Sequence, residues 1–189
     1  PVVPVPAEYS VGEGYFYFNA DMKFGVENES QLRMVSDFVT LLGRQTGFIP
    51  SIMIGSETAD VRLKTVTSLP DEAYNLIVTS EKILIESAGD AVFFYALQSL
   101  RQLLPVGVVE GKKQNRTMEY KIPVMTVNDR PRFGYRGLMI DVSRYFMPKH
   151  NLLKIIDAAS FLKINKIHLH LVDDNGWRLE IKKYPRLTQ

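Results

Sequence analysis

Apolar residues recur in two periods along this chain, and each change of period marks an element. Tyr74, Leu76 and Val78 alternate with Asn75, Ile77 and Thr79, and Ile83 and Ile85 resume the alternation after the polar turn Ser80-Glu81-Lys82. A period of two on both sides of a polar turn predicts a β-hairpin. Two other stretches keep a helical period. Leu32, Val35, Phe38, Val39 and Leu42 form one stripe, with Ser30 as its expected N-cap and Gly43 as its C-cap. Phe93, Leu97, Leu100 and Leu104 form another, with Asp90 as N-cap and Pro105 as the stop. Further strands are expected at 15–18, 51–54, 61–66 and 122–127, with a proline-rich extended lead at 1–6 and a polar loop at 107–115. Strands around two helices, without regular alternation, predict an α+β domain: an antiparallel or mixed sheet with both helices on one face. That domain is expected to span 1–128, with Asn128-Asp129-Arg130-Pro131 as the linker to a second segment, 129–189.

The second segment changes pattern. Gly137-Leu138-Met139-Ile140-Asp141-Val142 is an apolar run closed by Ser143 and Arg144, as expected of a strand buried on both faces. After Pro148, one helical face carries Leu152, Leu153, Ile156, Ala159 and Leu162. A second strand, 166–172, ends in Asp173-Asp174, followed by the turn signal Asn175-Gly176. Strand, crossover helix and strand make a parallel βαβ unit. In a (β/α)8 barrel built from such units, chemistry sits at the C-terminal ends of the strands. Arg144, Asp173 and Asp174 fall there.

Composition excludes several classes. The chain has 189 residues, 46% hydrophobic and 23% charged, as in globular domains. Its 23 basic and 21 acidic residues leave a net charge of +2, which gives no basic footprint for nucleic acid. Without cysteine it has neither disulfides nor thiolate metal sites, and no apolar run reaches the ~20 residues of a membrane span. A start at Pro1-Val2-Val3 reads as a trimmed form, so the export signal of a secreted or periplasmic protein is expected to have been removed.

Arg144 is the strongest candidate for binding. A guanidinium is a rigid fork of donors able to grip two neighbouring hydroxyls; the competing role is an ion pair with Asp141. Of Asp173 and Asp174, at most one points inward while strand geometry lasts. His168 and His170 share a strand face, so a metal-dependent barrel hydrolase using that pair is one alternative function. Trp177, the sole tryptophan, is placed either at the rim as a ring on which a ligand could stack or in the core. Arg136, at the start of its strand, is expected to make a structural salt bridge.

The runs Arg136-Gly137-Leu138-Met139-Ile140-Asp141-Val142-Ser143-Arg144 and Asn165-Lys166-Ile167-His168-Leu169-His170-Leu171-Val172-Asp173-Asp174-Asn175-Gly176-Trp177-Arg178 resemble the opening of the catalytic barrel of glycoside hydrolase family 20, the β-N-acetylhexosaminidases. Glu72-Ala73-Tyr74, residues 83–88 and residues 95–104 resemble the small α/β domain that precedes that barrel. The resemblance implies a glycosidase acting on glycans with a terminal β-linked N-acetylhexosamine by a retaining, substrate-assisted mechanism, without cofactor or metal. It implies that Arg144 binds hydroxyls of the terminal sugar. It also implies that Asp173, with His170, supports the site by orienting a histidine outside this chain, and that Asp174 and Trp177 lie at the rim. The family's catalytic Asp-Glu pair has no counterpart here, so the chain is expected to be an inactive fragment with a truncated barrel, whose exposed strands are either less ordered or paired with another copy of the chain. Tyr145 and Leu169 depart from the family's usual His and Trp. A non-catalytic carbohydrate- or protein-binding module is the remaining alternative.

Overall fold

The computed structural model describes residues 2–109 and 119–188, and it separates into two compact units, Pro1–Arg132 and Phe133–Gln189. The first unit is built from β1 (Glu8–Phe18), β2 (Lys23–Val26), α1 (Glu29–Thr46), β3 (Ser51–Ile54), β4 (Val61–Thr65), β5 (Tyr74–Val78), β6 (Ile83–Ser87), α2 (Asp90–Leu103), α3 (Val106–Val109) and β7 (Tyr120–Asp129). Its sheet runs β1-β7-β5-β6-β4-β2-β3. It is mixed: antiparallel from β1 to β6, parallel from β6 through β4 and β2 to β3.

The alternation at 74–85 yields the β5–β6 hairpin, with Tyr74 opposite Ser87 and Val78 opposite Ile83. Tyr74, Leu76, Val78, Ile83 and Ile85 point into the core. The two helical stripes meet them there: Val35, Phe38, Val39 and Leu42 from α1, and Phe93, Ala96, Leu97 and Leu100 from α2. Phe24 packs edge-on against both Phe18 and Phe38, at centroid distances of 6.4 and 6.2 Å.

Caps and boundaries differ from expectation. Asn28, not Ser30, caps α1: its extended backbone lets Oδ1 accept from Gln31 N at 2.9 Å, and Ser30 falls inside the first turn. Gly43 does not end the helix. A Cβ there would lie 2.5 Å from Ile49 Cγ1, so this glycine permits close approach. The left-handed cap is Gly47, φ 84°, whose N–H reaches Gly43 O at 3.0 Å. Gly89 is the N-cap of α2, and Asp90 is its first residue. There its carboxylate meets the positive helix end and accepts from Gln31 Nε2 at 3.4 Å. Residues 107–109 of the expected polar loop are helical, in α3, and the rest of that loop from 110 lies outside the described residues.

Asn128 and Asp129 are strand residues rather than linker, because Asp129 has structural work inside the first unit. Its carboxylate accepts from Tyr74 Oη at 2.8 Å and from Ala7 N at 3.1 Å. Tyr74 Oη also lies 2.6 Å from Ser99 Oγ, which joins sheet to α2. Burial, then the Asp129 charge, push the Tyr74 phenol far above its ordinary value, so it is a neutral donor at any working pH.

In the second unit, β8 (Gly137–Asp141) and β9 (Lys166–His170) pair in parallel on either side of α4 (Lys149–Phe161), with Asp141 opposite His170. Val142 N continues the ladder to His170 O at 3.2 Å. Beyond β9, β10 (Val172–Asp173) and β11 (Gly176–Trp177) form a small hairpin around Asp174-Asn175. Arg136 donates to the carbonyls of Lys163 and Phe133, at 3.0 and 2.7 Å, and so fastens the base of this unit through backbone oxygens. Burial on both strand faces, expected from the sequence, does not occur: Leu138, Met139 and Ile167 are 37%, 50% and 38% exposed. The physical reason is that β8 and β9 make a sheet of two strands, with no third strand beside them among the described residues.

Backbone amides of β5, β6 and α2 are therefore expected to exchange slowly in deuterated water, and those of β8 and β9 much faster in dilute solution. If the exposed strands pair between copies, β8 and β9 exchange should slow as concentration rises. Equal protection of both sets at every concentration would contradict this reading.

Candidate functional site

The site is assembled where β8 and β9 end. The chain turns sharply after Asp141, and Asp141 itself closes that turn. Its Oδ1 accepts from Ser143 N and Arg144 N, each at 3.0 Å, and its Oδ2 accepts from Arg144 Nε in an ion pair. The ion pair considered as the alternative role of Arg144 is thus present, but it uses only Nε. The two terminal nitrogens carry no hydrogen bond among the described residues, and the side chain is 58% exposed. The pair with Asp141 fixes the stem of the fork and leaves its tips for a ligand.

These contacts also set charge. The backbone bond from Arg144, followed by its side-chain bond, holds the Asp141 carboxyl below the ordinary carboxylate range. The Arg144 guanidinium is held above its ordinary value first by the bond to Asp141 and its charge, then by the charges of Asp173 and Asp174. The three carboxylates at the strand ends thus act on one cation.

Asp173 ends β10, the short strand that follows β9. Its Oδ1 accepts from Asp174 N at 2.8 Å, and its Oδ2 sits 3.0 Å from His170 Nε2. The backbone bond from Asp174, with a smaller contribution from His170, lowers its pKa. The histidine beside Asp173 within this chain is therefore His170. Asp174 is exposed at the hairpin tip. Trp177 is half-buried, and its Nε1 donates to Leu179 O at 2.5 Å, so its ring edge is occupied by its own chain. His168 is exposed on β9, and no group of three His, Cys, Asp or Glu among the described residues could hold a metal ion.

Two residues that sequence reasoning gave no role, Ser143 and Arg178, tie the Arg144 loop to the hairpin. Ser143 Oγ donates to Gly176 O at 2.6 Å, and Arg178 donates to the carbonyls of Val142 and Ser143. No local pattern signals such contacts.

The depressed Asp141 pKa has a defined pH consequence. A carboxylate whose folded pKa lies below its unfolded value stabilises the fold above that unfolded value and loses its contribution as pH falls through the folded one. The closed turn should therefore persist through neutral and mildly acidic pH and open only below the ordinary carboxylate range. A carbon-13 titration of the Asp141 carboxyl should give a midpoint below the usual aspartate value; a midpoint at or above it would remove the turn's electrostatic basis.

Both units match known proteins. Residues 1–130 match the family model for glycosyl hydrolase family 20, domain 2, and residues 133–189 match the model for the family 20 catalytic domain. A beta-hexosaminidase of Porphyromonas gingivalis is 31% identical over 100% of this chain, which spans 24% of that protein. A beta-N-acetylhexosaminidase of Cellulomonas fimi is 32% identical over 100% of the chain, which spans 38% of it. Among solved structures, the Streptomyces plicatus N-acetyl-beta-hexosaminidase in complex with Thio-NAglucal superposes with a TM-score of 0.86 at 32% identity, covering 98% of this chain and 37% of its own. The chain thus spans well under half of these relatives. With both units matched in chain order, the chain belongs to glycosyl hydrolase family 20.

Proposed function

We propose that this chain is part of an exo-acting β-N-acetylhexosaminidase that removes terminal N-acetylhexosamine from glycans in a secreted or periplasmic setting. The observation that carries this reading is Arg144: its Nε is bound to Asp141, its tips are unengaged, and it stands at the C-terminal end of β8. That arrangement suits a guanidinium gripping two hydroxyls of the non-reducing sugar, the positioning part of catalysis. β8, α4 and β9 are read as the first βαβ of a (β/α)8 barrel, whose active sites lie at this end of the strands.

The reaction is a retaining, substrate-assisted hydrolysis. A glutamic acid protonates the glycosidic oxygen while the substrate's own acetamido oxygen attacks the anomeric carbon and the glycosidic C–O bond breaks; an aspartate steadies the acetamido group, and water then adds to the anomeric carbon from the vacated face and releases the acetamido oxygen. This Asp-Glu pair is assigned to a part of the protein outside these residues. Asp141 and Asp173 do not substitute for the acid, because their hydrogen bonds keep both ionised at neutral pH. The 189-residue chain alone is accordingly expected to release no aryl alcohol from an aryl N-acetyl-β-glucosaminide above background. The complete protein should cleave it, with NMR showing the β-anomer of the free sugar as first product. Turnover by the 189-residue chain, or first release of the α-anomer by the complete protein, would overturn this assignment.

A further inference from the structure

The loop that carries Arg144 is clamped by a cation for which sugar binding has no evident use. Arg178 Nε donates to Val142 O at 3.0 Å and its Nη2 to Ser143 O at 3.2 Å. Its guanidinium also lies over the Phe146 ring, 5.4 Å from the centroid, and its backbone N–H is anchored to Leu171 O at 2.9 Å. From the other side, the buried Ser143 donates its hydroxyl to Gly176 O at 2.6 Å. A Cβ on Gly176 would stand 2.8 Å from Ser143 O and 2.9 Å from Arg178 Nη2, so the approach of loop and hairpin needs a glycine there. Two consecutive carbonyls past the end of β8 are thus gripped by one planar fork, a geometry a lysine cannot reproduce.

We propose that Arg178 is a positioning residue for Arg144, a role that rests on the sugar-binding reading of Arg144. Arg178 acts on this proposal through the loop, by way of the carbonyls it holds. By holding the carbonyls of Val142 and Ser143 against the hairpin, it fixes the peptide between Ser143 and Arg144. The two amides closed by Asp141 belong to these same residues, so the latch sets the direction in which the Arg144 side chain leaves the backbone. It also keeps that side chain beside Asp173 and Asp174, whose charges it feels.

The test is a double-mutant cycle in the complete protein, with an aryl N-acetyl-β-glucosaminide as probe. Arg178→Gln should raise KM and lower kcat/KM on the order of tenfold. In an Arg144→Ala background the same substitution should cost less than about twofold, because there is no longer a side chain to aim. Equal losses in both backgrounds, or no loss in the Arg144 background, would overturn the proposal. A second readout needs no activity: in Arg178→Gln the amides of Ser143 and Arg144 should exchange faster than in the parent protein, and unchanged exchange would overturn the latch. If Arg178→Gln fails to fold, Ser143→Ala carries both measurements, since it releases the loop from Gly176 without removing a charge. If the complete protein cleaves no hexosaminide, the functional reading fails by itself and the exchange comparison still decides whether Arg178 holds the loop.

Discussion

Replacing Arg144 with alanine in the complete protein should lower kcat/KM for a terminal N-acetylhexosaminide by about a hundredfold or more. On the proposed reading the loss would come from two charged hydrogen bonds to sugar hydroxyls, donated by the guanidinium tips that Asp141 leaves unbonded. Arg144→Lys should recover little. An ammonium cannot hold the Asp141 carboxylate with one nitrogen while presenting two others in a plane. Folding should be nearly unaffected, because the side chain is exposed and Asp141 keeps the amides of Ser143 and Arg144. An unchanged kcat/KM in a folded Arg144→Ala protein would take Arg144 out of the site and, with it, the observation on which the functional reading stands.

The largest expected effect on stability lies in the first unit. Phe93 is fully buried beneath the sheet, among residues of the core shared by α1 and α2. Phe93→Ala removes most of a ring from a packed interior, where the cavity adds to the lost transfer energy, and should cost about 3–5 kcal/mol. Against a total of about 5–15 kcal/mol for an ordinary domain, that is enough to leave the unit marginal. Urea unfolding followed by far-ultraviolet circular dichroism would measure it. Tyr17→Ala, at a side chain 44% exposed on β1, is the control and should move the midpoint little. A Phe93→Ala loss no larger than the control's would mean that α2 does not depend on this contact.

What could be read from the sequence follows from how local each determinant is. The β5–β6 hairpin and the stripes of α1 and α2 were legible because periodicity within one element fixes which side chains face the core. The helix ends were not. Asn28 and Ser30 are both good caps, and only the extended backbone at Asn28 decides between them. Gly43 and Gly47 likewise compete; the left-handed backbone at Gly47 decides the cap, and Ile49 approaching from outside the helix accounts for Gly43. Asn128 and Asp129 read as linker because polar residues beside a proline resemble one; the buried phenol of Tyr74, 55 residues earlier, is what gives Asp129 its place. In the candidate site, strand ends located Arg144, Asp173 and Asp174. The Ser143–Gly176 and Arg178–Val142 contacts span 33 and 36 residues, and no spacing rule reaches that far.

β1 loses its pairing register with β7 part-way along, and this bears on how the first unit coexists with its own copies. β1 is an 11-residue strand at one end of the sheet, with Tyr9, Val11, Tyr15 and Tyr17 all substantially exposed. An unbroken strand of that length, with one edge unpaired, is a template for strand addition and fibrillar stacking. Between Val11 and Tyr15 the ladder loses its register, and Gly14 adopts φ 92°, a left-handed conformation natural to glycine. The interruption divides its hydrogen-bonding groups into two short runs out of register with one another, a poor match for one straight partner. The bulge thus makes the rim a poor seed for aggregation while allowing it to display aromatic side chains that an even strand could expose only at the risk of precipitation.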